Sequence, residues 1–304
     1  MPVDATEGRQ APAGRALVLG GGGSVGNAWL IGVVAGLVEG GVDVTRADLL
    51  VGTSAGATAA VQVAGADPVD LLAEILAAVP PRGRGSAGPA PATAARGPHV
   101  EHLERTARII AAADSAVDMR RRMGAAALEL DAASDGAGPA RWRAVVAARL
   151  PRRDWPDRDL LIPAVDAGTG EPVVFDRRSG VELVDAVAAS TSSGAPYRIG
   201  ERRYIDGGYR RNENADLAAG YGQVVVLSPL GGRTRHPLEW GMQLAAQVDE
   251  LRTGGSRVDT VVPDENSLRA FGADLMDVSR RAPAARAGHE QGLVRAAQLV
   301  EAWA

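Results

Sequence analysis

The apolar positions of this chain fall into short unbroken runs set between stretches of small and polar residues. Arg15-Ala16-Leu17-Val18-Leu19, Asp48-Leu49-Leu50-Val51 and Gln223-Val224-Val225-Val226-Leu227 are such runs. Brief segments that are apolar at almost every position suit strands buried on both faces of a parallel sheet. The segment from about Asn27 to Glu39 is apolar nearly all round (Trp29, Leu30, Val33, Val34, Leu37, Val38), which predicts a buried helix. Gly32 and Gly36 cost helix propensity there, and close packing against the sheet is the expected compensation. Small residues after Ser54 predict a second helix, and Asp67-Pro68 opens a third.

Further along, Leu160 to Ala167 and Pro172 to Asp176 read as strands joined by a hairpin at Gly168-Thr169-Gly170. Val181 to Ala189 predicts a helix, Arg203-Tyr204-Ile205 a short strand and Asn214 to Ala219 a brief helix. His236 to Arg252 predicts a helix, Arg257 to Val262 a strand and Glu290 to Trp303 a terminal helix. Between about 80 and 98 the chain turns to Pro, Gly, Ala and Arg without periodicity, the pattern of a flexible insertion. Two or three helical segments follow to about Leu150, either a cap over a pocket or a surface decoration. Strands alternating with helices predict an α/β fold with a mainly parallel central sheet and helices on both faces. The expected organisation is a disordered lead over residues 1–14 and one α/β domain over 15–304.

Composition narrows the chemistry. The chain has 304 residues and a net charge of −4, and its basic side chains other than histidine are all arginine. No basic tail or patch points to nucleic acid. Zero cysteine excludes disulfides, thiolate metal sites and a cysteine nucleophile together. The first 14 residues lack the apolar core of a signal peptide, and the longest apolar run, Ala28 to Val38, is too short to span a bilayer. The expectation is a cytoplasmic protein with at most peripheral membrane contact, needing neither metal nor cofactor.

Three motifs carry candidate chemistry. Gly52-Thr53-Ser54-Ala55-Gly56 is a G-x-S-x-G pattern between a strand and a helix, the setting of a nucleophile elbow that lifts a serine hydroxyl to the top of a sheet. Glycines two before and two after the serine would keep Cβ atoms out of the tight turn. Gly20 to Gly26 follows the first strand, and its backbone N–H groups are open to a substrate oxygen. The same stretch, through Gly21, Gly23 and Gly26, also fits the dinucleotide fingerprint G-x-G-x-x-G. That fold wants an acid at the end of the second strand, where this chain has Gly52-Thr53-Ser54. Asp206-Gly207-Gly208 puts a carboxylate at a strand end on a backbone free to turn, although Asp-Gly-Gly is also an ordinary turn. The four histidines, His99, His102, His236 and His289, lie away from strand ends, and none has the setting of a triad base.

Taken in order, the glycine-rich loop, the Ser54 elbow and Asp206-Gly207-Gly208 resemble the patatin-like phospholipase family, from about Arg15 to Pro229 with a break over 80–150. Ala188-Ala189-Ser190 ahead of Asp206, and Asn214 to Gly220 before Val224 to Leu227, are further matching pieces. The resemblance implies a three-layer α/β/α fold and a Ser–Asp dyad acting on acyl esters such as phospholipids. In that reading Ser54 is the nucleophile and Asp206 the base. The N–H groups of Gly22 and Gly23, with Gly21 or Ala55, hold the oxyanion, and no metal takes part. Family members often carry a basic residue where this chain has Val25, and a more hydrophobic approach where it has Ser190 to Pro196. The same acyl-serine would serve an acyltransferase if an alcohol replaced water.

Overall fold

The computed structural model describes residues 13–79 and 98–303. The insertion expected over 80–98 therefore lies outside the described residues except for Pro98, as does the expected N-terminal lead except for Ala13 and Gly14. The strands are β1 (Arg15–Leu19), β2 (Leu49–Gly52), β3 (Asp159–Asp166), β4 (Pro172–Phe175), β5 (Tyr197–Ile199), β6 (Arg202–Asp206), β7 (Gln223–Leu227) and β8 (Arg257–Val261). They form one sheet in the order β5-β6-β3-β2-β1-β7-β8, with β4 paired to β3. The pairings β3–β2, β2–β1, β1–β7 and β7–β8 are parallel; β3–β4, β3–β6 and β6–β5 are antiparallel. This is the mostly parallel sheet, with helices around it, that the sequence pattern leads one to expect.

Alternation across the pleat explains why the central strands are apolar at every position. Leu17, Leu19, Leu50, Val225 and Leu227 face one core, whereas Ala16, Val18, Leu49, Val51, Val224 and Val226 face the other. The first core is closed by α1 (Gly23–Glu39), α2 (Ala55–Gly65), α7 (Leu183–Ser190) and α10 (Arg281–Trp303), and the second by α8 (Leu244–Thr253) and the 3-10 turn Ala215–Ala218. A third cluster joins α4 (Pro98–Ala111) and α5 (Ala116–Ala132) to β3 and β6 through Ile110, Met119, Met123, Val165 and Ile205.

Several elements depart from the sequence expectation. Helix α1 starts at Gly23, inside the glycine-rich stretch, and its Gly32 and Gly36 face α10 and not the sheet. A Cβ on Gly32 or Gly36 would overlap the carbonyl of Ala285 or His289. Helix α10 accordingly begins at Arg281, earlier than Glu290, because burial against α1 offsets the weak propensity of Pro283 and Gly288. The single helix expected over His236 to Arg252 is a 3-10 turn at Leu238–Trp240 followed by α8. Gly241, in the left-handed region at φ 63°, separates the two. Helices α3 (Pro68–Ala77), α6 (Gly138–Ala147) and α9 (Glu265–Phe271) complete the α-helices among the described residues, and neither β5 nor α9 was legible as a periodic run.

The topology sets the height of the site. β1 lies between β2 and β7, so the chain crosses away from it in both directions, the kind of switch point at which α/β sheets bind ligands. Pairing of Leu19 with Gly52 brings the loops after β1 and β2 side by side. Strand β3 pairs with β2 only through Asp159–Leu161 and then overshoots it. Strand β6 runs back down that overshoot and ends with Asp206 opposite Ala164. Ala164 lies three residues beyond the Leu161–Val51 pair, and Ser54 lies three residues beyond Val51. Serine and aspartate, 152 residues apart in sequence, thus arrive at the same level.

Candidate active site

Ser54 joins β2 to α2 at φ 54° and ψ −118°, a conformation that L residues rarely adopt. Strain of this kind persists only where the surroundings enforce it. Here the enforcing contacts are close. A Cβ on Gly52 would stand 2.6 Å from the Gly56 carbonyl oxygen, and one on Gly56 would overlap the Leu19 carbonyl. The Ser54 N–H donates to Ser190 Oγ at 3.0 Å, and the Ser54 carbonyl accepts from Ala57 and Thr58. With its backbone fixed in this way, the half-buried Ser54 presents its hydroxyl above the sheet edge.

That hydroxyl donates to Asp206 Oδ2 at 2.7 Å. Asp206 Oδ1 accepts the Gly208 N–H at 2.8 Å, and the Asp206 N–H donates to the Ser192 carbonyl at 2.9 Å. The carboxylate is buried without an arginine partner among the described residues. Burial raises its pKa from 3.8 to about 6, against the smaller lowering effects of the Gly208 N–H and the Ser54 hydroxyl. Among the described side chains no histidine contacts either residue. His289 meets Glu39 at 2.7 Å, His102 meets Arg105, and His236 meets Thr234 and stacks on Trp240. Burial lowers the His236 pKa to about 4, so that ring is neutral at pH 7.

The glycine-rich stretch divides into committed and open donors. Gly20 N–H donates to the Leu227 carbonyl, and Gly21 N–H to the Asn212 carbonyl at 3.1 Å. Gly21 is therefore occupied in holding the loop, although it lies over the serine: a Cβ on it would stand 3.5 Å from Ser54 Cβ. The N–H groups of Gly22, Gly23 and Ala55 have no partner among the described residues. Gly22 and Gly23 open α1, and Ala55 opens α2, so the open donors sit at the positive ends of two helices. Gly23 needs its glycine, being at φ 64° with the Leu275 carbonyl 2.8 Å from where a Cβ would be. Gly26 lies one turn into α1, with Pro229 3.0 Å from its own missing Cβ, and Gly207 is packed on the Pro163 carbonyl.

Sequence reasoning gave no role to the residues that bind these three motifs to one another. Asn212 Nδ2 donates to the Gly21 carbonyl at 3.3 Å, complementing the backbone bond in the other direction. Buried Glu213 accepts from Asn212 Nδ2 and Ser228 Oγ, and its carbonyl accepts from Thr53 Oγ1. Asn214, left-handed at φ 54° and fully buried, donates through Nδ2 to Thr53 Oγ1, the Gly207 carbonyl and the Arg211 carbonyl. One tripeptide thereby touches the glycine loop, the elbow and the Asp206 turn. The polar Ser190 to Pro196 segment is also structural: Thr191 and Ser192 hydroxyls return to carbonyls of α7, and Ser190 holds Ser54.

A family model described as patatin-like phospholipase matches residues 17–219, more than half of the chain and all three motifs. The chain belongs to the patatin-like phospholipase family. Membership places it among lipid acyl hydrolases. VipD from Legionella pneumophila is a similar solved structure, with a TM-score of 0.44 and 15% identity over 94% of this chain and 67% of that one. No curated protein sequence matches the chain. In this chain Val25, where family members often carry a cation, is fully buried and gives its N–H to the Leu275 carbonyl. No helix among the described residues is long and apolar enough to cross a membrane.

Proposed function

We propose that the chain is a lipid acyl-ester hydrolase working through a Ser54–Asp206 dyad. The observation that carries this reading is the 2.7 Å hydrogen bond from a strained, elbow-held serine to a buried carboxylate. Asp206 takes the hydroxyl proton as Ser54 Oγ attacks the ester carbonyl. The N–H groups of Gly22, Gly23 and Ala55 hold the resulting oxyanion, and their placement at helix ends requires no reorganisation as charge develops. Collapse of the tetrahedral intermediate expels the alcohol, which leaves with the proton from Asp206. Water repeats the sequence on the acyl-serine, with Asp206 again as base, and releases the fatty acid. Helices α4 and α5 pack against β3 and β6, the strand that ends in Asp206.

A base with a pKa near the working pH is the one best matched to proton transfer. Since Asp206 must be ionised to act, kcat/KM is expected to rise with pH through an apparent pKa of about 6 and then level off. A profile flat down to pH 4.5 in a protein that stays folded would remove Asp206 from the role of base.

Gly22→Ala and Gly23→Ala test the oxyanion donors. A Cβ on Gly22 would lie 2.5 Å from Pro229 Cβ, so the loop must shift. Turnover is expected to fall by about a hundred- to a thousandfold in each, the range for a lost oxyanion donor. Raised KM at unchanged kcat would show instead that the loop recognises the ground state.

A further inference from the structure

The strap between α9 and α10 lies against the open end of the glycine loop. It leaves α9 at Gly272, left-handed at φ 68°, and enters α10 through the 3-10 turn Val278–Arg280. Two hydrogen bonds fix its middle. The Leu275 carbonyl accepts the Val25 N–H at 2.9 Å, and the Met276 N–H donates to Asp274 Oδ1 at 2.8 Å. Leu275 packs against the core that holds α1, whereas the next residue, Met276, is 50% exposed. Met276 Sδ stands 3.0 Å from where a Cβ on Gly23 would be. The thioether thus touches the backbone that carries the open Gly22 and Gly23 N–H groups. The strap lies outside residues 17–219, the part that the family model matches.

The exposure of this sulfur is selective. The chain has five methionines and no cysteine. Met119, Met123 and Met242 are at most 5% exposed, inside the cluster that joins α4 and α5 to the sheet. Met1 lies outside the described residues. Oxidation of a thioether follows its access to the oxidant, and there is no thiol to react first. Met276 is therefore the accessible sulfur among the described residues, and it is the one beside the open donors.

We propose that Met276 is an oxidant-sensitive modification site that switches the oxyanion loop off. A sulfur lone pair attacks one oxygen of hydrogen peroxide, the O–O bond breaks, and the departing hydroxide takes the remaining peroxide proton to leave as water. Sulfur is oxidised by two electrons and the peroxide is reduced by two. The sulfoxide exchanges an apolar contact on Gly23 for a polar S=O group. Its oxygen is an acceptor placed beside N–H groups that are open for an oxyanion, and it takes them in the substrate's place. The strap cannot simply swing away, because the Leu275 carbonyl ties it to Val25 in the first turn of α1. The switch rests on the reading of Gly22 and Gly23 as oxyanion donors.

The test exposes the full chain to graded hydrogen peroxide, maps each added oxygen by peptide mass, and measures kcat and KM on a soluble p-nitrophenyl ester. Met276 is expected to gain oxygen ahead of Met119, Met123 and Met242. With it kcat should fall in step with Met276 occupancy, by about a hundredfold at completion, the lower end for one lost oxyanion donor. Methionine sulfoxide reductases acting on both epimers should restore it. Met276→Leu, which keeps an apolar side chain without sulfur, should start near wild-type activity and hold it in peroxide. Met276→Gln, whose amide carbonyl imitates the sulfoxide, should be slow before any oxidant. Complete oxidation of Met276 at unchanged kcat would overturn the switch, as would equal peroxide sensitivity in Met276→Leu. Inactivity of Met276→Leu before oxidation would also overturn it, by making the thioether a requirement for turnover. A wild type that hydrolyses no ester would fail the acyl-hydrolase reading and the switch with it, while the mapped order of oxidation would still decide the modification site.

Discussion

Ser54→Gly and Ser54→Ala are both expected to abolish ester hydrolysis, yet the glycine variant should be the more stable of the two. Each loses the hydroxyl and its bond to Asp206, so the difference between them isolates the backbone. At φ 54° and ψ −118° alanine keeps the strain of the elbow, of about 1–3 kcal/mol, and glycine does not. Glycine also gains freedom in the unfolded chain, which offsets about 0.4–1 kcal/mol. The net advantage of glycine is then roughly 0.5–2 kcal/mol, read from paired denaturant titrations. Equal stability would mean that the elbow stores no strain. Surviving turnover in either variant would mean that Ser54 is not the nucleophile.

Asp206→Asn is expected to cost nearly as much activity as Ser54→Ala. The amide keeps the shape and still accepts the Gly208 N–H, but it cannot take a proton from Ser54. Groups that act as one unit are not additive, so the double variant should be scarcely worse than either single one. Stability should move the other way. The folded pKa of Asp206, about 6, lies above its ordinary 3.8, so the stability this carboxyl contributes is complete below about pH 4 and lost as pH rises through about 6. Asparagine carries no charge to desolvate, and the variant is expected to be at least as stable as the wild type at pH 8. An inactive variant that is no less stable at pH 8 rules out misfolding as the cause.

The sequence carried the frame of this site and not its fastenings. β1 and β7 are readable to the residue because a strand buried on both faces must be apolar throughout. The elbow and the glycine stretch are readable because close approach of backbones admits only glycine at Gly52, Gly56 and Gly23. Helix starts were harder. Gly23 and Gly26 argue against a helix locally, and Gly32 and Gly36 speak only of some close neighbour; that the neighbour is α10 depends on a contact some 250 residues away in sequence. Asn212 and Glu213 gave no signal, and Asn214 only a place in the family resemblance, because each works by a side-chain bond to a group brought near only by the sheet topology. The match of Asp206 to Ser54 in height likewise depends on the length by which β3 overshoots β2, a register that no local pattern encodes.

Central to the account is that Asp206, and no histidine, activates Ser54. The most direct measurement is the rate at which a fluorophosphonate labels the protein at pH 7.5, followed by intact mass and mapped to its residue. Wild type and the His99→Ala, His102→Ala, His236→Ala and His289→Ala variants should all be labelled at Ser54 at similar rates, and Asp206→Asn should be labelled orders of magnitude more slowly. Rapid labelling of Asp206→Asn, together with collapse in one folded histidine variant, would contradict the dyad.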